Sequence, residues 1–231
     1  INTAAIVVGG LLGLLFKNLL TKSMEDTLLK ASSVCVLFIG IGGAMQHMLK
    51  ITDGALETSG SMMLIICFVL GSIVGELLDI EGAFERFGAW LRKKTHNESD
   101  TGFLSAFIHA SLTVCIGAMA IVGSIQDGLL GDSSLLCAKA ALDAVIILVM
   151  TASMGKGCIF SAIPVALLQG GVTLLSRVLA PIFTEAAIAN LSYTGSVMIF
   201  CVGLNLVWGK KIKVANLLPT LVFAVIYALV F

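Results

Sequence analysis

Long apolar stretches separated by short polar ones make up almost the whole chain. A helix that crosses a bilayer needs about 20 mostly apolar residues, within a range of about 17 to 25. The pattern predicts eight such spans, at residues 2–20, 28–49, 60–79, 102–124, 134–154, 158–180, 193–209 and 214–231. We therefore expect an all-α polytopic membrane protein with about eight transmembrane helices in a single transmembrane domain, residues 1–231.

Composition indicates the same class of protein. Hydrophobic residues make up 58% of the chain and charged residues 12%, whereas soluble domains carry about 25% charged residues. The net charge is zero, which gives no reason to expect a nucleic-acid partner. The six cysteines lie singly in apolar stretches, and the sequence has no HExxH or GxxxxGK motif. We expect no enzyme activity, no metal site and no cofactor.

The placement of lysine and arginine predicts how the spans are oriented, because short cytoplasmic loops collect these residues. With the N-terminus outside, eleven of them lie on the cytoplasmic side, and only Lys50 and Arg177 lie outside. The eleven are Lys17, Lys22, Lys30, Arg86, Arg92, Lys93, Lys94, Lys156, Lys210, Lys211 and Lys213. Both termini are therefore expected outside the cytoplasm.

The longest cytoplasmic connection carries Phe84, Phe87, Trp90 and Leu91 near helical spacing, with basic residues between and after them. One interpretation is an amphipathic helix that lies in the membrane interface. The other is a basic loop that continues the third span. Neither interpretation implies chemistry in this segment.

Two parts of the chain resemble each other. Residues 4–15 are similar to 118–130, and each is followed by a helix that opens with Lys-Ala, at Lys30 and at Lys139. The two units start three spans apart, an odd number, so the second must be inverted relative to the first. Inverted repeats of this kind are common in secondary transporters. The predicted units are residues 1–95 and 102–190, with two additional helices in 193–231.

The segment 123–132 is polar and contains three glycines within nine residues. It is predicted to be a loop, either a re-entrant turn or an ordinary extracellular one, because glycine permits backbone conformations that break a helix. Asp132 is predicted to cap the helix that starts at residue 133 or 134. Gln126 and Asp127 have no such structural explanation, which makes them candidates for binding a solute or an ion.

Lys139 and Asp143 are the charged residues at greatest predicted depth. Their i, i+4 spacing places both side chains on one helix face, and Asp143 lies about 13 Å along a helix that starts near residue 134. They are either a structural ion pair or a site whose ion occupancy changes during transport. Glu76, at the cytoplasmic end of the third span, is either a surface carboxylate or part of the pathway. Asn205, at membrane depth, either holds helices together or coordinates the solute.

The segment 123–132 followed by Lys-Ala-Ala-Leu-Asp at 139–143 resembles bacterial inner-membrane proteins of the domain-of-unknown-function 554 (YqgA-like) family. So do the segments 71–77, 203–206 and 211–219. The resemblance covers the whole chain and implies a polytopic membrane protein with a transport role and no known substrate. The matching polar positions are Glu76, Gln126, Asp127, Asp132, Lys139, Asp143, Asn205 and Asn216, for which the family supplies no established role.

These observations predict a secondary active transporter for a small polar or charged solute in the bacterial inner membrane, coupled to H⁺ or Na⁺. Gln126, Asp127, Asp143 and Asn205 would form the site, with Lys139 as the counter-ion. Two alternatives stay open: an ion channel or pore lined by the same residues, and a membrane scaffold that transports nothing. Eight spans in 231 residues make a small transporter, so a homodimer is also expected.

Overall fold

The computed structural model describes residues 1–17, 21–52, 54–97, 100–115 and 118–230. The helices in this part of the chain are α1 (Asn2–Lys17), α2 (Lys22–Met48), α3 (Ser61–Leu78), α4 (Ile80–Lys94), α5 (Phe103–Cys115), α6 (Ala118–Leu130), α7 (Ser134–Met154), α8 (Ala162–Leu174), α9 (Ser176–Leu179), α10 (Glu185–Trp208) and α11 (Pro219–Val230). Two 3₁₀ turns, Lys156–Ser161 and Val214–Leu217, lead into α8 and α11. The prediction of an all-α fold is confirmed, apart from one short hairpin.

Several of these helices have the length and apolar character of membrane spans. Within the described residues, four helical segments are both long enough and apolar enough to cross a membrane: α3, α7, α10 and the continuous segment Lys156–Leu174. The bent pair α5 and α6 adds a fifth span if it is counted as one. Three shorter apolar helices, Asn2–Lys17, Ser33–Met48 and Val214–Val230, coincide with other predicted spans. The chain is therefore rich in apolar helices, while the number eight stays a prediction.

The fourth predicted span differs most from expectation. Instead of one helix over 102–124, α5 and α6 meet at an angle of 73°, and residues 116–117 between them lie outside the described part of the chain. Every residue from Ala106 to Val114 in α5 is buried. A helix that is buried all round lies in a protein core rather than against lipid. Helix α5 is thus the central element of the bundle.

The predicted loop over 123–132 is wrong, because α6 continues as a helix to Leu130. Gly128 does not open a turn there. It lies directly against the Thr173 carbonyl and the Ser176 hydroxyl, where any side chain would collide. Only Gly131 has a left-handed backbone in this segment, with φ of 68°. Close helix packing, rather than chain reversal, explains the glycine at position 128.

Helices α1 and α7 run parallel in close contact. A side chain at Gly9 would meet the Ala144 carbonyl, and one at Gly13 would meet the Leu148 carbonyl. Small residues four apart let two membrane helices approach at backbone distance. From the first contact to the second, the residue number rises by four in both helices, so the two helices run parallel.

Two further pairs are antiparallel. Gly40 and Gly43 of α2 lie against Phe200 and Ser196 of α10, and Gly71 and Gly75 of α3 lie against Thr220 and Asn216 at the start of α11. We call the end of the bundle at which α1, α7 and α10 finish the basic end, because Lys17, Lys156 and Lys210 follow or close these helices. The chain starts and α11 finishes at the opposite end.

Helix α4 is an amphipathic helix at the basic end, so the interpretation as a loop continuing α3 is wrong. Asp79 separates α3 from α4 in a left-handed conformation, with φ of 48°, and its carboxylate accepts a hydrogen bond from the Gly82 amide. Phe87 packs on Phe107 of α5 with 5.9 Å between ring centroids. Trp90, by contrast, is 54% exposed.

An antiparallel hairpin of strands β1 (Leu49–Thr52) and β2 (Ala55–Thr58) joins α2 to α3. Gly54 in its turn has φ of 79°, a conformation that favours glycine. The hairpin was not predicted, because its strands are only four residues long and the alternation in Leu49–Thr52 is not continued in Ala55–Thr58.

Candidate functional site

Lys139 and Asp143 form an ion pair in the middle of α7. Lys139 Nζ lies 3.0 Å from Asp143 Oδ1 and 2.9 Å from Asp143 Oδ2. The two residues are 7% and 3% exposed. Asp143 is the tenth of 21 residues in α7, so the pair lies near half depth. It belongs to the protein interior rather than to either surface.

Asn2 of α1 completes this cluster. Its Nδ2 donates to Asp143 Oδ2 at 2.7 Å, and the residue is 3% exposed. The parallel contact of α1 with α7 at Gly9 brings Asn2 to this position. The other end of the amide, Asn2 Oδ1, is buried without a hydrogen-bond partner among the described residues. We call Asn2, Lys139 and Asp143 the α7 cluster.

The broken helix pair approaches the α7 cluster. Helix α5, which is described as far as Cys115, packs against α7. The last carbonyls of a helix carry a partial negative charge, which is favourable near a cation such as Lys139. The helix that carries the α7 cluster therefore packs against the first half of the bent pair.

Gln126 and Asp127 do not join the α7 cluster. Gly123 of α6 packs on Leu136 near the start of α7, and α6 turns directly into α7, so the two helices are antiparallel. Counted from that contact at 1.5 Å per residue, Asp127 and Asp143 lie about 16 Å apart along the helix axis. Gln126 and Asp127 are half-buried, and the described residues offer no hydrogen bond to either side chain.

Asn205 also lies elsewhere, near the basic end. Its Nδ2 donates to the Ile212 carbonyl at 2.7 Å, and its Oδ1 accepts from the amides of Lys211 and Ile212, both at 3.0 Å. These bonds close the turn that follows α10. The prediction that Asn205 joins Asp143 in one site is wrong, because the amide is used to hold the backbone of this turn.

Glu76 belongs to a second polar cluster at the basic end. It pairs with Lys213 at 2.5 Å and accepts from Asn216 Nδ2 at 2.6 Å. Asn216 Oδ1 in turn accepts from the Glu81 amide at 2.7 Å. The hydrogen bond to Glu76 raises the pKa of the Lys213 ammonium. These contacts tie α3 and α4 to the turn before α11.

Asp132 precedes α7 and contacts its first residue. Its Oδ1 accepts from the Ser134 amide at 3.0 Å and from the Ser134 hydroxyl at 2.6 Å. These hydrogen bonds lower the pKa of the Asp132 carboxyl below its ordinary value of 3.8. The side chain therefore satisfies one of the free amides at the start of a helix.

A polar cavity of about 130 Å³ opens near the basic end, between α4, α5 and α10. Glu81, Glu85, His109 and Lys210 are among the residues that line it. Lys210 Nζ lies 3.0 Å from Glu81 Oε1 and also bonds Glu85. Burial acts to lower the pKa of Lys210, but hydrogen bonds to Glu85 and Glu81 outweigh it, and the pKa is raised. The described residues contain no group of three or more His, Cys, Asp and Glu side chains arranged to hold a metal ion.

The family described as "Protein of unknown function (DUF554)" matches residues 1–229. The chain belongs to the DUF554 family. It is 25% identical over 220 residues to the uncharacterized membrane protein YdfK of Bacillus subtilis strain 168, covering 95% of this chain and 90% of YdfK. It is also 25% identical over 231 residues to the uncharacterized protein YqgA of Escherichia coli K12, covering 97% of this chain and 92% of YqgA. No solved structure matches the chain. The resemblance inferred from the sequence motifs is confirmed, and it is that of an uncharacterised membrane protein family with apolar helices.

Sequence reasoning missed three buried polar residues of this DUF554 protein as site residues. Asn2 lies at the first helical position, where a polar residue is unremarkable. Glu81 and His109 are 5% and 8% exposed, but Glu81 lies beside the predicted basic loop, and His109 lies toward the start of the predicted span 102–124. The signal available for His109 was its place inside a continuous apolar segment, since a buried imidazole needs a hydrogen-bond partner. Its Nδ1 donates to the Ser105 carbonyl at 2.8 Å.

Proposed function

We propose that this DUF554 protein is a secondary active transporter, which moves a small polar or charged solute across the bacterial inner membrane with coupling to H⁺ or Na⁺. The α7 cluster carries the proposal. A charge at the centre of a membrane helix costs roughly 2.5 to 3.5 kcal/mol on insertion scales, and such groups usually mark ion or substrate pathways. Here a carboxylate and an ammonium lie at half depth, both at least nine-tenths buried.

The geometry of the α7 cluster supports a coupling role. Asp143 is held by Lys139 and Asn2 together, so its carboxylate is fully engaged when ionised. A proton or Na⁺ that neutralises Asp143 removes the counter-charge of Lys139. Helix α5 packs against α7, and in this proposal the carbonyls at its C-terminal end offer Lys139 a second partner of negative sign. The Lys139 ammonium would then have two alternative partners, Asp143 and the end of α5. A carrier that alternates between two states requires such a pair of arrangements.

The broken pair α5 and α6 also supports transport. Transporters commonly form their sites from discontinuous helices, because irregular backbone is tolerated in a membrane only inside protein or a cavity. Helix directions fit the proposed inverted repeat. Helix α1 starts at the opposite end of the bundle from the bent pair. In the same way, α2 starts at the opposite end from α7, and α3 at the opposite end from α8.

Orientation and assembly belong to the same proposal. The basic end faces the cytoplasm by the distribution of lysine and arginine, which leaves both termini outside. The bilayer is the surrounding partner, and a homodimer completes a scaffold that is small for a carrier. Exposed apolar side chains along α3, such as Ile65, Val69 and Ile73, provide faces for lipid or for a second copy. The proposal includes no catalytic activity.

Purified protein in proteoliposomes tests the proposal. A pH-sensitive dye inside the vesicles reports proton movement when a gradient of Na⁺ or of a candidate solute is imposed, and a planar bilayer reports currents. We expect gradient-driven proton movement in the wild type, none in Asp143→Asn, and no unitary currents. Asp26→Asn is the matched control, because Asp26 pairs with Lys30 at the same i, i+4 spacing but is exposed.

Other results decide between the alternatives. Conductance without an imposed gradient overturns the carrier and favours a channel lined by the same polar groups. A folded wild type that moves neither protons nor current favours a membrane scaffold. Asp143→Asn with wild-type coupling removes the α7 cluster from the mechanism.

A further inference from the structure

Two cavities lie on either side of Leu112 of α5. The first is the polar cavity of about 130 Å³ at the basic end, and the second is an apolar cavity of about 200 Å³ deeper in the bundle. Leu112 lines both. Val202 lines the first and Leu191 lines the second, and these residues of α10 lie eleven positions apart. At 1.5 Å per residue, the two cavities together extend over about 16 Å of α10.

The polar cavity carries a net negative charge. Two carboxylates, Glu81 and Glu85, line it against one ammonium, Lys210, and the imidazole of His109. Glu81 is 5% exposed, and its Oε2 accepts from the Ala215 amide at 3.0 Å, which fixes the carboxylate in place. A confined site with an excess of one negative charge favours a monovalent cation.

Lys210 occupies the position that such a cation would take. Its ammonium bridges Glu81 and Glu85, yet the side chain is 45% exposed. It follows Gly209, which has φ of 76°, in the short turn between α10 and α11. The ammonium can therefore leave the two carboxylates toward water when another cation replaces it.

The deeper cavity is apolar with one exception. Cys115, Ile121, Leu168 and Leu191 are typical of its lining. Ser111 also lines it, is fully buried, and its hydroxyl has no hydrogen-bond partner among the described residues. A buried hydroxyl without a partner costs free energy. A ligand with one hydrogen-bonding group on an otherwise apolar body removes that cost.

We propose that the two cavities form one site for a small amphiphilic amine. Its ammonium lies between Glu81 and Glu85, its apolar body fills the cavity beyond Leu112, and one polar group on that body bonds Ser111. An apolar cavity of about 150 Å³ accommodates benzene, so the deeper cavity has room for a phenyl ring. That this amine is also the transported solute rests on the proposed function.

Equilibrium binding to the purified full-length protein in detergent tests the site with tyramine as the probe. Two analogues dissect it: ethylamine lacks the aromatic body, and 3-(4-hydroxyphenyl)propanoate replaces the ammonium by a carboxylate. We expect tyramine to bind at least about tenfold more tightly than either, because ethylamine lacks the apolar body with its hydroxyl and the propanoate lacks the ammonium. Equal or tighter binding of the propanoate overturns the proposal.

Substitutions test each cavity separately. Glu85→Gln should weaken tyramine by about tenfold, as loss of a charged hydrogen bond does, whereas Glu57→Gln on the exposed hairpin should not. Leu168→Trp should abolish the advantage of tyramine over ethylamine by filling the deeper cavity. Leu167→Trp is its control, since Leu167 is 70% exposed on the same helix.

The experiment separates this site from the transport proposal. The affinities of the wild-type protein for the three probes test the site without any substitution. The proposal can therefore be tested even if a variant misfolds. Absence of amine binding overturns the site and leaves transport of another solute standing. Tyramine binding without any gradient-driven movement in vesicles keeps the site and overturns the proposed function. A Leu168→Trp protein that binds tyramine like the wild type overturns the assignment of the deeper cavity.

Discussion

The ion pair in the α7 cluster predicts strongly non-additive effects of substitution. Lys139→Met leaves the Asp143 carboxylate buried without its counter-charge, and Asp143→Asn leaves the Lys139 ammonium in the same state. Breaking a buried ion pair from one side costs about 3 to 5 kcal/mol. Each single variant should therefore lose about that much free energy of unfolding, because both side chains are more than nine-tenths buried.

The double variant Lys139→Met/Asp143→Asn should recover most of this loss. Both charges are then gone, and the new amide at position 143 can exchange two hydrogen bonds with Asn2. One of these reaches Asn2 Oδ1, which has no partner in the wild type within the described residues. Replacing a buried ion pair by neutral groups of similar volume is often neutral or stabilising. We expect the double variant to lie within about 1 kcal/mol of the wild type.

Reversible unfolding in mixed micelles, followed by tryptophan fluorescence, measures the four corners of this double-mutant cycle. The expected coupling energy is at least about 5 kcal/mol, because two single losses of about 3 kcal/mol or more give way to a double-variant loss of about 1 kcal/mol or less. The matched cycle on Asp26 and Lys30, whose side chains are 60% and 71% exposed, should give only about 0.3 to 0.5 kcal/mol. If the double variant loses the sum of the two single losses, the pair is not coupled and the reasoning fails.

Three further predictions concern local structure. Gly9→Leu should separate α1 from α7 and lower stability by about 3 kcal/mol or more, while Gly42→Leu, where no atom lies within 4 Å, should change it little in the same unfolding assay. The hydrogen bond from Arg86 holds the pKa of the Asp79 carboxyl below 3.8. Asp79 therefore stabilises the folded protein above that pH, and this contribution is lost as the pH falls. The stability difference between Asp79→Asn and the wild type should shrink as the pH drops from about 5 to about 3. Asp132→Ala should lower the unfolding midpoint, because the amide and hydroxyl of Ser134 lose their acceptor, and an unchanged unfolding midpoint would contradict that role.

The positions of the helices could be predicted well because they depend on local composition. The predicted span 134–154 coincides with α7, and 60–79 differs from α3 by one residue at each end. Apolar length alone sets these boundaries. The same logic failed at Gly128, since a glycine that permits close helix contact looks identical in sequence to one that opens a turn. Which role applies depends on Thr173 and Ser176, which are distant in sequence.

The candidate site could be predicted only where its members are neighbours in sequence. Lys139 and Asp143 share a helix face, so their pairing follows from i, i+4 spacing. Asn2 joins them across 141 positions, and Glu81 meets the Ala215 amide across 134. No local pattern encodes such contacts. Asn205 shows the converse error, because a polar residue at membrane depth was interpreted as a ligand while its amide serves the adjacent turn.

Gradient-driven proton movement in proteoliposomes of the Lys139→Met/Asp143→Asn double variant is the most direct test of the central claim. This variant separates folding from function, because it is expected to be as stable as the wild type while lacking both charges of the α7 cluster. We predict a folded protein that moves no protons under the Na⁺ or solute gradient that drives them in the wild type. A folded double variant with wild-type proton movement would contradict it.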